Sequence, residues 1–304
     1  MIEAHALSKR FGPKVAVDGL SFAVKPGQVT GFLGPNGAGK STTMRMIVGL
    51  DRPSAGTVTV DGRPYREHAA PLCQVGALLE AHSIHKGRSA RAHLRGLART
   101  HGIPDSRVDA VLEMVGLAAV ARQRAGRFSL GMGQRLGIAA ALLGDPAAVV
   151  LDEPVNGLDP DGVLWLRTLL QRLAAEGRTV LVSSHLMSEM AVTAEHLVIV
   201  GRGRLLADTT VDELIARIAV GTVLVRSPDA TALRDALLRE KREKREKAVV
   251  SSAEPGVLQV SGMDAARIAA VALAAGIAVH ELTPRRASLE EAYMELTREA
   301  VEYR

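Results

Sequence analysis

Cysteine is nearly missing: Cys73 stands alone among 304 residues. That excludes an internal disulfide framework and fits a reducing compartment. Aromatic residues make up only 3% of the chain, which leaves few platforms for stacking nucleic-acid bases. Long apolar runs are also lacking. The stretch Ile268–Val279, closed off by Arg267 and His280, is shorter than the roughly 18 apolar residues that mark a bilayer-crossing helix. The opening Met1–His5 has neither the basic nor the apolar segment of a signal peptide. A chain that is neither secreted nor itself a channel is expected. Charge of one sign is scarce as well. The net charge is +5, and the three Arg-Glu-Lys triplets of Arg239–Lys247 carry +3 of it, so basicity is a poor guide to partners and no nucleic acid is expected among them.

What is present is the balance of a globular protein, 47% hydrophobic and 23% charged, at a length that suggests two domains. Up to about residue 215, short apolar runs alternate with helical periods, as in an α/β domain. Val29–Leu33, Ala148–Leu151 and Thr179–Ser183 read as buried strands. Val163, Leu166, Leu170 and Leu173 fall at helical spacing between the last two, which predicts a strand–helix–strand unit with parallel pairing. Leu197–Val200 and Leu205–Ala207 flank Gly201–Arg204 and read as a hairpin, and Thr210–Glu213 offers a capping box for a closing helix. Residues 87–141 are rich in Ala, Leu and Arg at helical spacing, and a helical insertion is expected there. Arg88, Arg91, Arg95 and Arg99 form one face of it, either solvated or turned to a partner protein.

Beyond residue 220 the order becomes strand Thr222–Arg226, helix from Ala230, strands Val249–Ser251 and Val257–Ser261, helix Ala265–Ala275 and strand Ile277–Leu282. This predicts a small α+β domain of split βαβ type, followed by a helix opened by Ser288-x-x-Glu291. The expected boundaries are 1–218 and 221–304. Glu240–Lys244 and Glu243–Lys247 stand at i,i+4, where they would extend the preceding helix into solvent.

Gly34-Pro35-Asn36-Gly37-Ala38-Gly39-Lys40-Ser41 matches GxxxxGK[ST] between a predicted strand and a predicted helix. Glycines let the backbone wrap a phosphate, and the loop amides with the helix N-terminus supply positive potential. Thr42 continues that first turn. Lys40 would reach the β- and γ-phosphates, and Ser41 would ligate Mg²⁺. More than a hundred residues on, the apolar run Ala148–Leu151 ends in Asp152 and Glu153. That strand is expected beside Val29–Leu33, bringing Asp152 to the Mg²⁺ shell and Glu153 towards the γ-phosphate as general base. Cys73, His82 and His85 match no standard Zn²⁺ spacing. Trp165 lies beside the core stripe of its helix and is expected to pack.

Between and after these segments stand Phe128–Arg135, Asn156–Asp159 and Ser183-Ser184-His185. In that order, the whole series resembles the ATP-binding subunit of an ABC transporter, most similarly that of bacterial daunorubicin-type drug-resistance exporters. The resemblance covers residues 1 to about 215 firmly. The C-terminal domain resembles the accessory tail of that subfamily, with Ser288-Leu289-Glu290-Glu291-Ala292-Tyr293 as its best match. It implies a P-loop NTPase fold with a helical insertion, and an ATPase that binds ATP and Mg²⁺ at the cytoplasmic face of the membrane. It also implies two partners, a second copy of the chain bridged by ATP and a separate membrane-spanning permease. Phe11 corresponds to the aromatic that stacks on adenine. Ser129 and Gly131 correspond to the signature segment that meets the other subunit's γ-phosphate. Asp159 falls in the loop crossing the dimer interface, and His185 at the histidine that contacts γ-phosphate. Two positions depart from the pattern. The common LSGGQ reads Phe128-Ser129-Leu130-Gly131-Met132 here, and Glu80 replaces a glutamine, leaving it either in the metal shell or as an interface residue. A soluble ABC-type ATPase acting on nucleic acid or the ribosome, and a non-hydrolysing regulatory subunit, are the competing expectations.

Overall fold

The computed structural model describes residues 1–79, 84–218, 222–244, 249–285 and 288–301. Glu80 and His82 therefore lie outside the described residues. Two long strands, β1 (Ile2–Phe11) and β2 (Lys14–Val24), precede β3 (Val29–Leu33), α1 (Lys40–Ile47) and β4 (Ala55–Val60). A single helical turn α2 (Pro71–Gln74) leads into β5 (Val75–Leu78), and helices α3 (Ala90–Thr100), α4 (Asp105–Met114) and α5 (Leu130–Ala141) follow. Next come β6 (Ala148–Leu151), α6 (Pro160–Ala175), β7 (Thr179–Ser183), α7 (Met187–Thr193), β8 (His196–Gly201), β9 (Arg204–Thr210) and α8 (Val211–Ile218). The chain ends with β10 (Thr222–Arg226), α9 (Ala230–Lys244), β11 (Val249–Glu254), β12 (Val257–Ser261), α10 (Ala265–Ala274), β13 (Glu281–Arg285) and α11 (Leu289–Val301). Residue contacts divide it into one unit of Met1–Val211 with the chain from Thr297 onward, and a second of Asp212–Leu296. The division falls ahead of the 218–221 boundary expected from the sequence, just after Val211, the first residue of α8.

In the first unit a six-stranded sheet has the order β5-β6-β7-β3-β8-β9. Its strands are parallel except for the β8–β9 hairpin. Every residue of β3, β6 and β7 is buried, which is why these strands read as unbroken apolar runs rather than alternating ones. One expectation is corrected: β6 does not lie beside β3. The β6–α6–β7 crossover sets β7 against β6, and β7 takes the place next to β3, so that Val180 opposes both Val149 and Val29.

A second, antiparallel sheet of order β2-β1-β4 was not foreseen. Its inner residues Ile2, Leu7 and Phe22 share a core with Phe32 and Met44, and the Phe22 and Phe32 rings lie 5.4 Å apart. In the helical insertion, Ser89 caps α3 by accepting from Ala92 N. Arg91 meets Asp109 at 2.7 Å and Arg95 pairs with Asp105, so half of the arginine stripe is ion-paired to α4 at the surface. Trp165 packs as expected, donating to Met114 O at 3.3 Å beneath the Arg135 guanidinium, 4.4 Å from its ring.

In the second unit four antiparallel strands have the order β11-β12-β10-β13. Val223, Val225, Leu258 and Val260 form a core with Leu233 and Leu237 of α9 and Ile268 of α10. The last strand starts at Glu281, later than the predicted Ile277. Ile277 and Val279 pack on this core without joining the ladder. Glu240 on α9 meets Arg267 on α10 at 3.3 Å, and α9 is described as far as Lys244. The Ser288–Glu291 capping box forms in both directions, Ser288 N to Glu291 Oε2 and Glu291 N to Ser288 Oγ. Among the described residues no helix is long and apolar enough to cross a membrane.

Candidate active site

The loop from Gly34 to Gly39 joins β3 to α1, and its shape depends on missing side chains. Gly39 has φ 100°, and a Cβ there would sit 2.5 Å from Ala16 O. A Cβ on Gly34 would meet Val200 O at 2.4 Å. No side chain caps the N-terminus of α1 and no acidic residue stands in its first turn. Its leading amides are therefore left for an anion. Lys40 is buried, with Nζ donating to Gly34 O (2.6 Å) and Pro35 O (3.2 Å). Burial holds its pKa below the usual lysine value, against the opposing pull of Glu153 and then Asp152.

Asp152 and Glu153 follow β6, and one hydroxyl holds both. Ser183 Oγ, at the end of β7, donates to Asp152 Oδ1 (2.5 Å) and accepts from Glu153 N (2.8 Å). This serine is wholly buried. Glu153 adopts φ 49°, a left-handed conformation that costs a side-chain-bearing residue about 1–3 kcal/mol. Its carbonyl accepts from Asn156 N (3.2 Å) and from Gln134 Nε2 (3.4 Å). Its Oε2 lies 2.7 Å from His185 Nδ1. A carboxylate only accepts, so Nδ1 carries the proton in this pair.

A cleft of about 730 Å³ brings most of the expected residues together: Phe11, Asn36, Gly37, Gly39, Lys40, Ser41, Thr42, Asp152 and Glu153 all line it. Lys14, Ala16, Leu79, Leu130, Gln134 and Asn156 complete its wall. Phe11, 49% exposed, ends β1 with Lys9 Nζ 4.9 Å from its ring centroid. An exposed ring at a cleft mouth suits stacking on a planar base. Gly34, Pro35, Ala38, Ser129, Gly131, Asp159 and His185 are not part of this wall. Ser129 caps α5 by accepting from Met132 N, and Asp159 caps α6 by accepting from Gly162 N.

Of the site residues that sequence reasoning gave no role, Ser183 and Gln134 are the two whose side chains bond to the Asp152–Glu153 segment. Both lay inside segments singled out for neighbouring residues. A buried serine ending an apolar strand and a polar residue on a core helix were the available signals.

The donor set suits a nucleotide and a hard cation. The Ser41 hydroxyl and the Asp152 carboxylate are oxygen ligands of the kind Mg²⁺ takes alongside substrate phosphates. No cluster of three His, Cys, Asp or Glu side chains able to hold a metal occurs among the described residues.

The family described as ABC transporter matches residues 17–156, and residues 221–290 match one described as a domain of unknown function. The ABC transporter ATP-binding protein YhcH of Bacillus subtilis is 36% identical over 99% of this chain and 97% of its own length. The bacitracin transport ATP-binding protein BcrA of Bacillus licheniformis is 40% identical, over 71% of this chain and 72% of the relative. The Nod factor export ATP-binding protein I of Paraburkholderia xenovorans is 37% identical, over 78% and 80%. A solved ATP-binding subunit of an ABC transporter superposes with a TM-score of 0.65 at 27% identity, covering 71% of this chain and 92% of that one. A dimeric ATP-binding cassette bound to ADP and phosphate superposes at 0.63 and 23% identity over 69% and 98%, a likeness of fold alone.

Proposed function

Because the chain belongs to the ABC transporter family of ATP-binding proteins and is an ATPase, we propose that it powers a membrane exporter as a homodimer closed by ATP. The observation that carries the reading is the Glu153–His185 pair, 2.7 Å apart, beside a phosphate-shaped loop and a buried lysine. The loop amides and Lys40 bind the β- and γ-phosphates, with Lys40 exchanging the Gly34 and Pro35 carbonyls for phosphate oxygens. Phe11 stacks on adenine. Glu153 takes a proton from the water that attacks the γ-phosphorus as the bond to the ADP oxygen breaks. His185 holds the Glu153 carboxylate in place for that transfer. Mg²⁺, held by Ser41 and Asp152, would neutralise charge on the phosphates.

Ser129, Gly131 and Asp159 stand outside their own chain's cleft, which suits contact with a second copy's nucleotide. Each ATP then touches both chains and favours the closed pair, and hydrolysis removes that bridge. A separate permease converts the motion into transport, with the chain docked at the cytoplasmic face. The kinship with bacitracin and Nod factor export proteins supports the exporter reading. Light scattering of Glu153→Gln with and without Mg·ATP tests the dimer. A mass doubling on ATP that reverses when nucleotide is removed is expected. A monomer at saturating ATP would contradict closure.

A further inference from the structure

Leu130 occupies the position where the signature segment departs from the family's usual glycine, and although the residue is 57% exposed, one side of its side chain lies against Gly157. Gly157 has φ 78°, and a Cβ there would lie 2.3 Å from Leu130 Cγ and 2.4 Å from Cδ2. Leu130 therefore fills the space that a side chain on Gly157 would need. One residue on, the backbones close up, since a Cβ on Gly131 would be 2.9 Å from Gly157 O. One helical turn further, Gln134 is 2% exposed and its Nε2 donates to Glu153 O. That is the amide's one hydrogen bond among the described residues, because its Oε1 is buried without a partner there. The start of α5 thus touches both the glycine and the glutamate of the loop Glu153–Asp159.

We propose that Leu130 and Gln134 are positioning residues for Glu153, fastening the catalytic loop to the start of α5 within one chain. Glu153 needs such support. Its left-handed backbone is strained, and among the described residues the Ser183 hydroxyl and a turn to Asn156 hold that backbone while His185 holds the carboxylate. The inference rests on Glu153 being the general base. It also gives the leucine a role that glycine cannot fill, since glycine would leave the space over Gly157 open.

The test is steady-state hydrolysis by Leu130→Gly and Gln134→Leu, read as kcat and KM separately, with equilibrium ATP affinity and thermal midpoint measured alongside. Each variant should lose about tenfold in kcat, as loosened alignment does, with any change in KM and ATP affinity much smaller than that loss although both side chains also line the cleft. Gly157→Ala should abolish turnover, and Gly157→Ala with Leu130→Gly should regain part of it by removing the clash while the positive φ remains. Full kcat in both single variants, loss of ATP affinity in step with kcat, or a double variant no better than Gly157→Ala would each overturn the proposal. Glu153→Gln is the control. If it turns over normally, the assignment of the base fails. If it is inactive while Leu130→Gly and Gln134→Leu are fully active, only the positioning role fails.

Discussion

Replacing Ser183 with alanine removes one oxygen from a buried position where that oxygen has two duties. It donates to Asp152 Oδ1 at 2.5 Å and accepts from Glu153 N at 2.8 Å. Losing a hydrogen bond to a charged group costs about 1.5–3 kcal/mol, and a buried donor left without an acceptor costs about 1–3 kcal/mol. The two share one atom and do not add fully, so a net loss of about 3 kcal/mol is expected. For a unit of this size that lowers the thermal midpoint by roughly 6–12 °C. Turnover should fall too, because the hydroxyl orients both carboxylate-bearing residues, while the Lys40 loop still binds nucleotide. Thermal unfolding followed by circular dichroism, together with ATPase kinetics, reads both effects. A Ser183→Ala protein within about 0.5 kcal/mol of the parent and with unchanged kcat would refute the double role.

Lys40 yields a pH prediction. Burial lowers its pKa from the ordinary 10.5, and phosphate favours its charged form. ATP affinity should therefore fall as pH rises through the lowered value, while the nucleotide-free fold gains stability up to 10.5 because the unfolded chain binds the extra proton. Isothermal titration across that range checks this, and Lys40→Arg should flatten the affinity profile. Lys40→Ala should weaken ATP binding by about 10- to 100-fold with the fold intact, as the loss of charged hydrogen bonds requires. Asp159→Ala should cost about 1 kcal/mol through the lost α6 cap, whereas Asp159→Asn keeps a capping oxygen. Reduced turnover in Asp159→Asn at unchanged stability would place this residue at the chain–chain contact. Full turnover would leave it a cap.

The phosphate loop was legible because its chemistry demands fixed residue types at fixed spacing, and strands β3, β6 and β7 because full burial leaves unbroken apolar runs. The β1–β2–β4 sheet was hidden by its irregular register. In β1, Ile2 and Ala4 face the core, but Ala6 at φ 46° shifts the ladder, so Leu7 is the next buried residue and alternation breaks. Ser129 and Asp159 carried recognisable capping signals, a serine before a helical period and an aspartate before proline. The resemblance drew attention to a role across the interface instead. The work of Ser183 was out of reach for a topological reason. Only once β7 lies between β3 and β6 does a residue ending β7 come to stand beside Asp152, some thirty residues away in sequence. The ion pairs of Arg91 and Arg95 likewise depend on how α3 meets α4 rather than on either helix alone.

Specific ATPase activity measured against protein concentration tests the central claim most directly, with Glu153→Gln run in parallel. A motor whose sites are completed by a second copy should show activity per chain that rises with concentration to a plateau, and essentially none in the variant. Activity per chain that is flat down to nanomolar protein, or that survives in Glu153→Gln, would contradict the account.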